Sequence, residues 1–272
     1  MKAKKLWFGR LNLFLVIVVI AAFLFPFFWM ILASFKTQAQ IMSNEHFLFF
    51  KPTLKNFYSV FEEHNFLRYI WNSFVVAFFS TLFGLILGLP AAYAIAKFKQ
   101  HGLGLIILIA RIIPGISFMI PWFIIFSNLG LINTYTALIL SHMLVGLPFI
   151  IWVMISFYET LPMELEEAAR VDGCTIQGAF VRIMMPLSTP GIITASILSF
   201  IFSWNNFMFS LVLAGDRTKT LPIAVFNFMS YSEINWGGLM AAAVVITLPI
   251  LIISLALQKY IISGMTVGAV KG

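Results

Sequence analysis

Residues 70–96 read IWNSFVVAFFSTLFGLILGLPAAYAIA, a stretch of 27 residues without one charged side chain. A helix of about 20 apolar residues is long enough to cross the hydrocarbon core of a bilayer. This stretch is therefore predicted to be a transmembrane helix. Five other apolar stretches of similar length occur along the chain. The six predicted spans are 11–35, 70–96, 103–127, 135–157, 191–213 and 237–257.

The composition supports the same prediction. The chain has 272 residues, of which 61% are hydrophobic and 10% are charged, whereas roughly 25% of the residues in soluble proteins are charged. So few charges could not cover the surface of a soluble protein of this size. The net charge of +7 includes no dense basic run of the kind that nucleic-acid-binding proteins need. We predict an all-α integral membrane protein with six transmembrane helices in a single domain, 1–272.

The distribution of Lys and Arg predicts the orientation in the membrane. If the N-terminus is cytoplasmic, the cytoplasmic segments contain ten of these residues and the external segments contain six. Because cytoplasmic loops carry the excess of positive charge, we predict that both termini are cytoplasmic. The first span, 11–35, is longer than the roughly 7–15-residue apolar core of a signal peptide, so we expect it to be retained.

Six of the eleven prolines fall within predicted spans. A proline removes one helical hydrogen bond and tends to kink its helix. Such kinks suit tight packing, and they equally suit a bundle that opens and closes. The six are Pro26, Pro90, Pro114, Pro121, Pro148 and Pro249.

The predicted cytoplasmic segment 158–190 differs from the other loops because it has the features of two short helices. Pro162 suits the first turn of a helix, and the acidic residues after it complement the positive end of that helix. Gly173 would stop this helix, Thr175 would cap a second one, and Pro186 would end it. The apolar residues of the second helix have helical spacing and are Ile176, Ala179, Phe180 and Ile183. This hairpin could pack on its own bundle or dock into a partner, whereas its excess of acids disfavours an anionic membrane surface.

The same segment resembles the EAA loop of ABC importer permeases. The resemblance rests on Glu167-Ala168-Ala169, Asp172-Gly173, Phe180, Ile183, Met185-Pro186 and Pro190, which have the spacing of that motif. Two residues depart from the usual pattern. Met185 stands where leucine is usual, and Cys174 stands where alanine is usual. Both changes are small and apolar.

Further motifs in the same order extend the resemblance over nearly the whole chain. They are Pro52-Thr53-Leu54, Asn56-Phe57, Asn72-Ser73, Leu131-Ile132-Asn133-Thr134, Leu147-Pro148-Phe149, Trp152, Trp204-Asn205-Asn206-Phe207, Gln258-Lys259-Tyr260 and Gly268-Ala269-Val270-Lys271-Gly272. The family often has Glu where this chain has Asn206. Together these motifs are similar to the second permease of the maltose-type carbohydrate importers.

The resemblance implies the architecture of a type I ABC importer permease in a bacterial or archaeal cytoplasmic membrane. It implies a complex with a second, non-identical permease and two ATPase subunits, which would bind the ATP and Mg²⁺. An extracytoplasmic solute-binding protein would deliver a sugar or an oligosaccharide. This chain itself would bind no cofactor and would catalyse no reaction.

In such permeases the EAA loop forms a coupling helix that sits in a groove of the ATPase. Carried onto this sequence, the contact would involve the first part of the hairpin, with Phe180 and Ile183 as its anchors. The full coupling set is Glu167, Ala168, Ala169, Asp172, Gly173, Phe180, Ile183 and Pro186.

Three polar residues within the spans are candidates for the translocation path. Arg111 lies roughly 13 Å along span three, where a charge costs about 3 kcal/mol unless it is paired or faces water. Because no acidic residue lies within any span, Arg111 would either cross-link helices or line a cavity. The amides of Asn205 and Asn206 suit sugar hydroxyls, and they suit helix–helix hydrogen bonds equally well. We expect His142 in span four to make an interhelical hydrogen bond.

Other functions fit the sequence less well. The same class of importer could carry glycerol phosphate or a polyol. An intramembrane enzyme would need paired catalytic groups within the spans, and a structural or signalling subunit would need no ATP-coupled flux. The sequence contains no G-x-x-x-x-G-K-[ST] or H-E-x-x-H motif, and its four histidines are too scattered for a metal site. The nearest phosphate-loop lookalike, 215–220, lacks the paired glycines and is expected to be an external turn.

Overall fold

The computed structural model describes the backbone of residues 2–43, 48–229 and 234–266. Most of this part of the chain is helical, which confirms the predicted all-α fold class. The α-helices are α1 Lys2–Ser34, α2 Gln38–Met42, α3 Lys55–Tyr58, α4 Phe66–Lys97, α5 His101–Ile112, α6 Met119–Asn128, α7 Tyr135–Tyr158, α8 Glu164–Val171, α9 Ile176–Ala179, α10 Met185–Leu187, α11 Thr189–Trp204, α12 Met208–Leu213, α13 Leu221–Ala224 and α14 Trp236–Thr266. Residues 268–272, on which part of the resemblance rests, lie outside the described ranges.

Shorter elements join these helices. There are 3-10 turns at Gly115–Phe118 and Val225–Phe228, and π-helical turns at Ser59–Glu63 and Phe180–Met184. The only β pairing within the described ranges is an isolated antiparallel bridge between residues 229 and 234.

Four of the described helices are individually long and apolar enough to cross a membrane. They are α4, α7, Leu11–Ser34 of α1 and Trp236–Lys259 of α14. These helices coincide with predicted spans one, two, four and six to within a few residues. The agreement is close because an uninterrupted apolar run defines each of them.

Predicted span three, 103–127, is divided into two helices. Helix α5 and the helical segment Gly115–Asn128 meet at an angle of 85°. The break lies at Ile113 and Pro114, where the backbone of Ile113 is extended. Pro114 cannot donate a backbone hydrogen bond, and its ring disfavours helical geometry in the residue before it. The region is long enough for one span, as predicted, but its helix is not continuous.

Predicted span five, 191–213, is also interrupted. Helix α11 ends at Trp204, and the six-residue helix α12 begins at Met208. Both asparagines in the gap bond to nearby backbone: the Asn205 amide donates to the Ile201 carbonyl at 3.0 Å, and the Asn206 oxygen accepts from Phe209 N–H at 3.2 Å. Such local bonds compete with the regular helical pattern.

The chain packs as two compact units. One comprises Met1–Phe66 with Val225–Leu248, and the other comprises Leu67–Ala224 with Pro249–Gly272. Neither hydropathy nor loop length marks this division in the sequence.

In the first unit, a side-chain amide fixes the segment that follows α1. The amide nitrogen of Asn56 donates to the carbonyls of Ser34 and Lys36, both at 2.8 Å. The Lys36 side chain is buried, and its ammonium lies 4.6 Å from the centroid of the Trp29 ring. Burial lowers the pKa of Lys36, and the ring face compensates in part for the water that the charge loses.

In the second unit, α4 and α7 approach each other at two glycines one turn apart. A Cβ at Gly84 would lie 2.8 Å from Ile150 Cδ1, and a Cβ at Gly88 would lie 2.9 Å from Ile150 Cγ2. Small residues four positions apart allow two membrane helices to bring their backbones close together. The buried core continues from this contact along both helices and includes Leu89, Tyr93, Met154 and Tyr158.

A second buried cluster fixes the pieces of the two interrupted spans. It includes Phe126 of α6, Leu138 of α7 and Phe209 of α12. Helix α12, which follows the second break, packs against both α7 and α6, the helix that follows the first break. This arrangement places the two breaks in one region of the second unit.

Candidate functional site

The predicted cytoplasmic hairpin begins with α8 and turns at Gly173. Gly173 has φ +90°, a left-handed backbone that favours glycine. Its N–H donates to the Arg170 carbonyl at 3.1 Å, and the next N–H, of Cys174, donates to the Ala169 carbonyl at 2.9 Å. These two bonds form a Schellman cap. The prediction that Gly173 stops the first helix is confirmed.

The second arm of the hairpin begins as predicted but continues differently. The Thr175 hydroxyl accepts the Gly178 N–H at 3.0 Å, so its predicted role as N-cap is confirmed. Pro186 does not end the helix, because it lies within α10 and the bend of 76° to α11 follows it. The π turn Phe180–Met184 accommodates a proline that cannot complete the α-helical bonding pattern. Ile176, expected on the apolar face, is 43% exposed.

A buried ion pair attaches the hairpin to the end of α4. Lys97, the last residue of α4, donates to the carboxylate of Glu166, which is only 2% exposed. The Lys97 ammonium also lies 5.6 Å from the centroid of the Tyr93 ring. This pair was not among the residues predicted from the sequence. Helical spacing offered a signal, since Glu166 is three residues before the apolar Ala169 and so lies on the same face of the helix.

Two predicted anchors pack inward as expected. The Phe180 ring lies 4.7 Å from the Tyr93 ring, centroid to centroid, and 6.4 Å from the Tyr158 ring. Ile183 packs against the same core. The hairpin is therefore held to the ends of α4 and α7 by an ion pair and by an aromatic cluster.

The remaining coupling residues divide between the surface and the interior of the hairpin. Glu167, Ala168, Asp172, Gly173 and Pro186 are exposed. Ala169 was predicted to contact the ATPase, but it faces the interior of the hairpin and is only 5% exposed. Val171 is 88% exposed beside the turn, and the sequence analysis did not single it out. The tip of the hairpin thus presents an apolar side chain and two acids on a rigid support.

The three predicted path residues, Arg111, Asn205 and Asn206, line one cavity of about 610 Å³ in the second unit. The cavity lies at the two helix breaks, between the end of α5 and the α11–α12 gap, with α7 as a further wall. Its other lining residues are Val145, Gly146, Phe149, Leu198, Ser199, Ile201, Phe202, Phe207 and Met208. Amides, a hydroxyl, a guanidinium and aromatic rings therefore surround a space large enough for a small solute.

Arg111 both contacts a neighbouring helix and lines the cavity. Its guanidinium carbon lies 4.4 Å from the centroid of the Phe149 ring of α7, which is a cation–π contact. Within the described residues, the guanidinium has no acidic partner. The side chain of Asn205 bonds back to α11, and that of Asn206 bonds forward to α12.

The predicted interhelical hydrogen bond of His142 is confirmed. Its Nδ1 lies 2.7 Å from the Ser203 hydroxyl of α11, which in turn lies 3.0 Å from the Ser80 hydroxyl of α4. This chain of polar groups joins three helices directly beside the α11–α12 gap. His142 is not one of the residues that line the cavity.

The phosphate-loop lookalike forms a turn. Its backbone bonds join Thr218 N–H and Lys219 N–H to the Gly215 carbonyl at 3.1 and 3.0 Å, and the side chain of Asn133 accepts from Arg217 N–H at 3.2 Å. Across the part of the chain that the structure describes, no group of three or more His, Cys, Asp and Glu side chains could hold a metal ion.

Comparison with known proteins places this arrangement in a family. Residues 80–267 match the family model described as the inner membrane component of binding-protein-dependent transport systems. The trehalose/maltose transport system permease protein MalG of Thermococcus litoralis is 36% identical, with 92% of each chain covered. The sulfoquinovosyl glycerol transport system permease protein SmoH of Agrobacterium fabrum is 34% identical, with 92% of this chain and 89% of SmoH covered.

A solved structure shows the same fold. A chain of a bacterial ABC transporter involved in the import of the acidic polysaccharide alginate superposes with a TM-score of 0.79 at 22% identity, covering 93% of this chain and 96% of that chain. The fold and the family match agree with the EAA resemblance and with the exposed hairpin. The chain therefore belongs to the inner-membrane permease components of binding-protein-dependent ABC transport systems, and it is a transport subunit rather than an enzyme.

Proposed function

We propose that this permease forms, with a second and non-identical permease, the path by which a sugar or an oligosaccharide enters a bacterial or archaeal cell. The cavity at the two helix breaks is the observation that supports this most directly. Amide and hydroxyl groups can hydrogen-bond sugar hydroxyls, and aromatic rings offer apolar faces. Relatives named for trehalose, maltose and sulfoquinovosyl glycerol transport support a saccharide.

The location of the cavity suits a transport path. Discontinuous helices form the solute sites of many transporters, because their unpaired backbone groups and their side chains meet near the middle of the membrane. Arg111 lies in the last turn of α5, and Asn205 directly follows α11. Each side chain is thus carried by the end of a helix segment, where movement of the segment would change the shape of the cavity.

In this proposal the hairpin transmits force from two ATPase subunits. Glu167 and Asp172 could form charge-assisted bonds with a basic groove, while the exposed Val171 would fill an apolar part of it. The ion pair and the aromatic cluster at its base would pass the movement to α4 and α7. Closure of the ATPases would then produce a rigid-body change in the helices around the cavity. ATP and Mg²⁺ would be bound by the ATPases and not by this chain.

Co-purification tests the proposed assembly. A tagged form of the chain would be extracted from its native membrane in mild detergent, and the accompanying proteins would be identified by mass spectrometry. We expect an ATP-binding subunit, a second permease and a solute-binding protein. The same complex in proteoliposomes should accumulate a saccharide only when ATP is supplied to the ATPases. Recovery of the chain alone, or only with copies of itself, would refute the proposed assembly.

A further inference from the structure

We propose that the solute that passes through the Arg111 cavity is an acid-bearing saccharide, such as a uronate or a sulfonated sugar. This inference rests on the proposed function, because it specifies the chemical class of the solute at the same cavity. Three features of the cavity support it: its charge, the balance of its hydrogen-bond donors and acceptors, and the contact between Phe149 and the guanidinium.

The charge of the cavity is uncompensated. Twelve residues line it, and Arg111 is the only charged one among them. No described residue forms an ion pair with Arg111. A cation within the membrane is unfavourable unless an anion or water is present. An anionic solute would supply the missing opposite charge each time it occupies the cavity.

The hydrogen-bonding groups around the cavity are mainly donors. Arg111 offers five N–H groups and no acceptor. The Asn206 oxygen already accepts the Phe209 N–H, which leaves its amide N–H groups for a ligand. Asn205 uses one N–H to bond the Ile201 carbonyl and retains its oxygen. A carboxylate or a sulfonate presents only acceptors, and it therefore matches this set better than a neutral hydroxyl does.

The contact with Phe149 leaves the guanidinium able to bind an oxyanion. A guanidinium stacks through its flat face and hydrogen-bonds through its edge. The guanidinium carbon of Arg111 lies over the Phe149 ring, 4.4 Å from its centroid, and a cation–π contact of this kind does not require an N–H···O bond. The N–H groups at the edge can then form the paired bonds that Arg makes to a carboxylate. The contact with Phe149 thus positions the cation and leaves N–H groups for an oxyanion.

The position of Arg111 agrees with this role. It is the eleventh residue of α5, so it lies roughly 15 Å from the start of that helix. Near the middle of a membrane, an acid-bearing solute would encounter its greatest electrostatic barrier. A cation at that depth lowers the barrier for anions and leaves neutral sugars without a comparable gain.

The test measures uptake by the complete importer in proteoliposomes, with its co-purified partners. The solutes are oligosaccharides from partly hydrolysed pectin and alginate, the same oligosaccharides after carboxyl reduction, 6-sulfoglucose, and neutral maltodextrins. Mass spectrometry identifies what accumulates with ATP. We expect acid-bearing solutes to accumulate and their carboxyl-reduced counterparts to be transported at least tenfold less efficiently.

Variants then assign the effect to this residue. Arg111→Gln should lower kcat/KM for the acid-bearing solute by about tenfold or more, and Arg111→Lys, which retains the charge but not the fork, should give an intermediate value. Arg68→Gln, on the exposed surface of α4, is the matched control and should transport as wild type. ATP hydrolysis stimulated by the binding protein should persist in every variant, which shows that the complex is assembled.

Each outcome is informative. If the wild-type complex accumulates only neutral sugars, the proposed importer stands and this inference is wrong. If Arg111→Gln assembles and transports the acid-bearing solute as well as wild type does, the inference is also wrong. If nothing accumulates with ATP, both the proposed function and the inference fail. Should Arg111→Gln not assemble, the wild-type comparison and Arg111→Lys still decide the question.

Discussion

Lys97 and Glu166 connect the cytoplasmic hairpin to the membrane-spanning part of its unit. Both side chains are largely buried, with exposed fractions of 12% and 2%. Removing one member of a buried pair leaves the other without a counter-charge, which typically costs about 3 kcal/mol or more. Together with the aromatic contacts of Phe180, the pair therefore holds the hairpin against the end of α4.

We expect Glu166→Ala to lower the Tm of the purified complex by several degrees and to weaken the coupling of ATP hydrolysis to uptake. The exposed Glu164 in the same turn provides the control, and Glu164→Ala should leave both quantities unchanged. Replacing both partners by apolar residues, Lys97→Met with Glu166→Leu, should recover most of the Tm. Equal losses in the single and double variants would show that the pair itself is not the source of the effect.

Gly173 allows the hairpin surface to be tested separately from the hairpin fold. No atom lies within 4 Å of the Cβ that a substitution would add at Gly173, and Asp adopts left-handed backbone more readily than most residues do. The left-handed backbone strains any side chain at this position, so Gly173→Asp should lower the Tm by a modest amount while the hairpin still folds. We expect it to uncouple ATP hydrolysis from uptake, because the new carboxylate would stand where the ATPase must approach. Glu167→Lys should uncouple in the same way.

Gly130 provides a closely matched control for this experiment. It has φ +67° and an equally open Cβ position, and it caps α6 with the same two bonds, from Gly130 N–H to the Ser127 carbonyl and from Leu131 N–H to the Phe126 carbonyl. It lies on the predicted external side. Gly130→Asp should retain coupled uptake, and wild-type coupling in Gly173→Asp would refute the role of the hairpin tip.

At the scale of single residues, the sequence predicted which residues end and cap the helices better than it predicted which side chains are buried. The helix stop at Gly173 and the cap at Thr175 follow from local backbone rules, and both are confirmed. The burial of Glu166 and Ala169 depends on which face of α8 meets α4 and the second arm of the hairpin, which is a tertiary property. By charge alone, Glu164, Glu166 and Glu167 are equivalent acids in the first turn of α8. In the structure, Glu166 is buried and the other two are exposed.

At the scale of helices, the contact between α4 and α7 gives a prediction that depends on single atoms. The Cβ of Gly84→Ala would meet Cδ1, the mobile end of Ile150, whereas the Cβ of Gly88→Ala would meet Cγ2, which is bonded directly to the Ile150 Cβ. Gly88→Ala should therefore be the more destabilising change, by about 1–3 kcal/mol.

Ile150→Val distinguishes the two glycines because it removes Cδ1 and retains Cγ2. In thermal unfolding of the purified complex, it should cancel the cost of Gly84→Ala and leave the cost of Gly88→Ala. The cost of Ile150→Val alone is subtracted through a double-mutant cycle. Rescue of both glycine variants, or of neither, would contradict the α4–α7 contact described above.

Hydropathy predicted the positions of the spans but not the breaks within them. A window of about 20 residues averages over a proline or an asparagine pair, so spans three and five were expected to be continuous. Proline alone is a poor guide, since Pro26, Pro90, Pro148 and Pro249 all lie inside unbroken helices. Pro114 differs because Gly115 follows it, and a Pro-Gly pair is a stronger turn signal.

At the scale of the whole molecule, the candidate residues fall into two groups within the second unit. The hairpin tip offers acids and an apolar side chain at the predicted cytoplasmic side, and the cavity collects Arg111, Asn205 and Asn206 at the helix breaks. The sequence could identify the first group through an ordered motif. The residues of the second group were predicted one at a time. Their meeting in one cavity was not predicted, because it depends on two helix breaks that hydropathy does not reveal.

The central claim, that the hairpin tip contacts an ATPase, can be tested with the natural residue beside Gly173. Cys174 is the only cysteine of the chain and is partly exposed. It would be labelled with benzophenone maleimide in the assembled complex, illuminated, and the adducts identified by mass spectrometry. Cys174→Ala controls for other cysteines, and Cys174→Ala with Asp216→Cys moves the label to the exposed predicted external turn. We predict a covalent adduct with the ATP-binding subunit from Cys174 alone. An intact complex in which Cys174 forms no such adduct, or in which the label at position 216 forms it, would contradict the account.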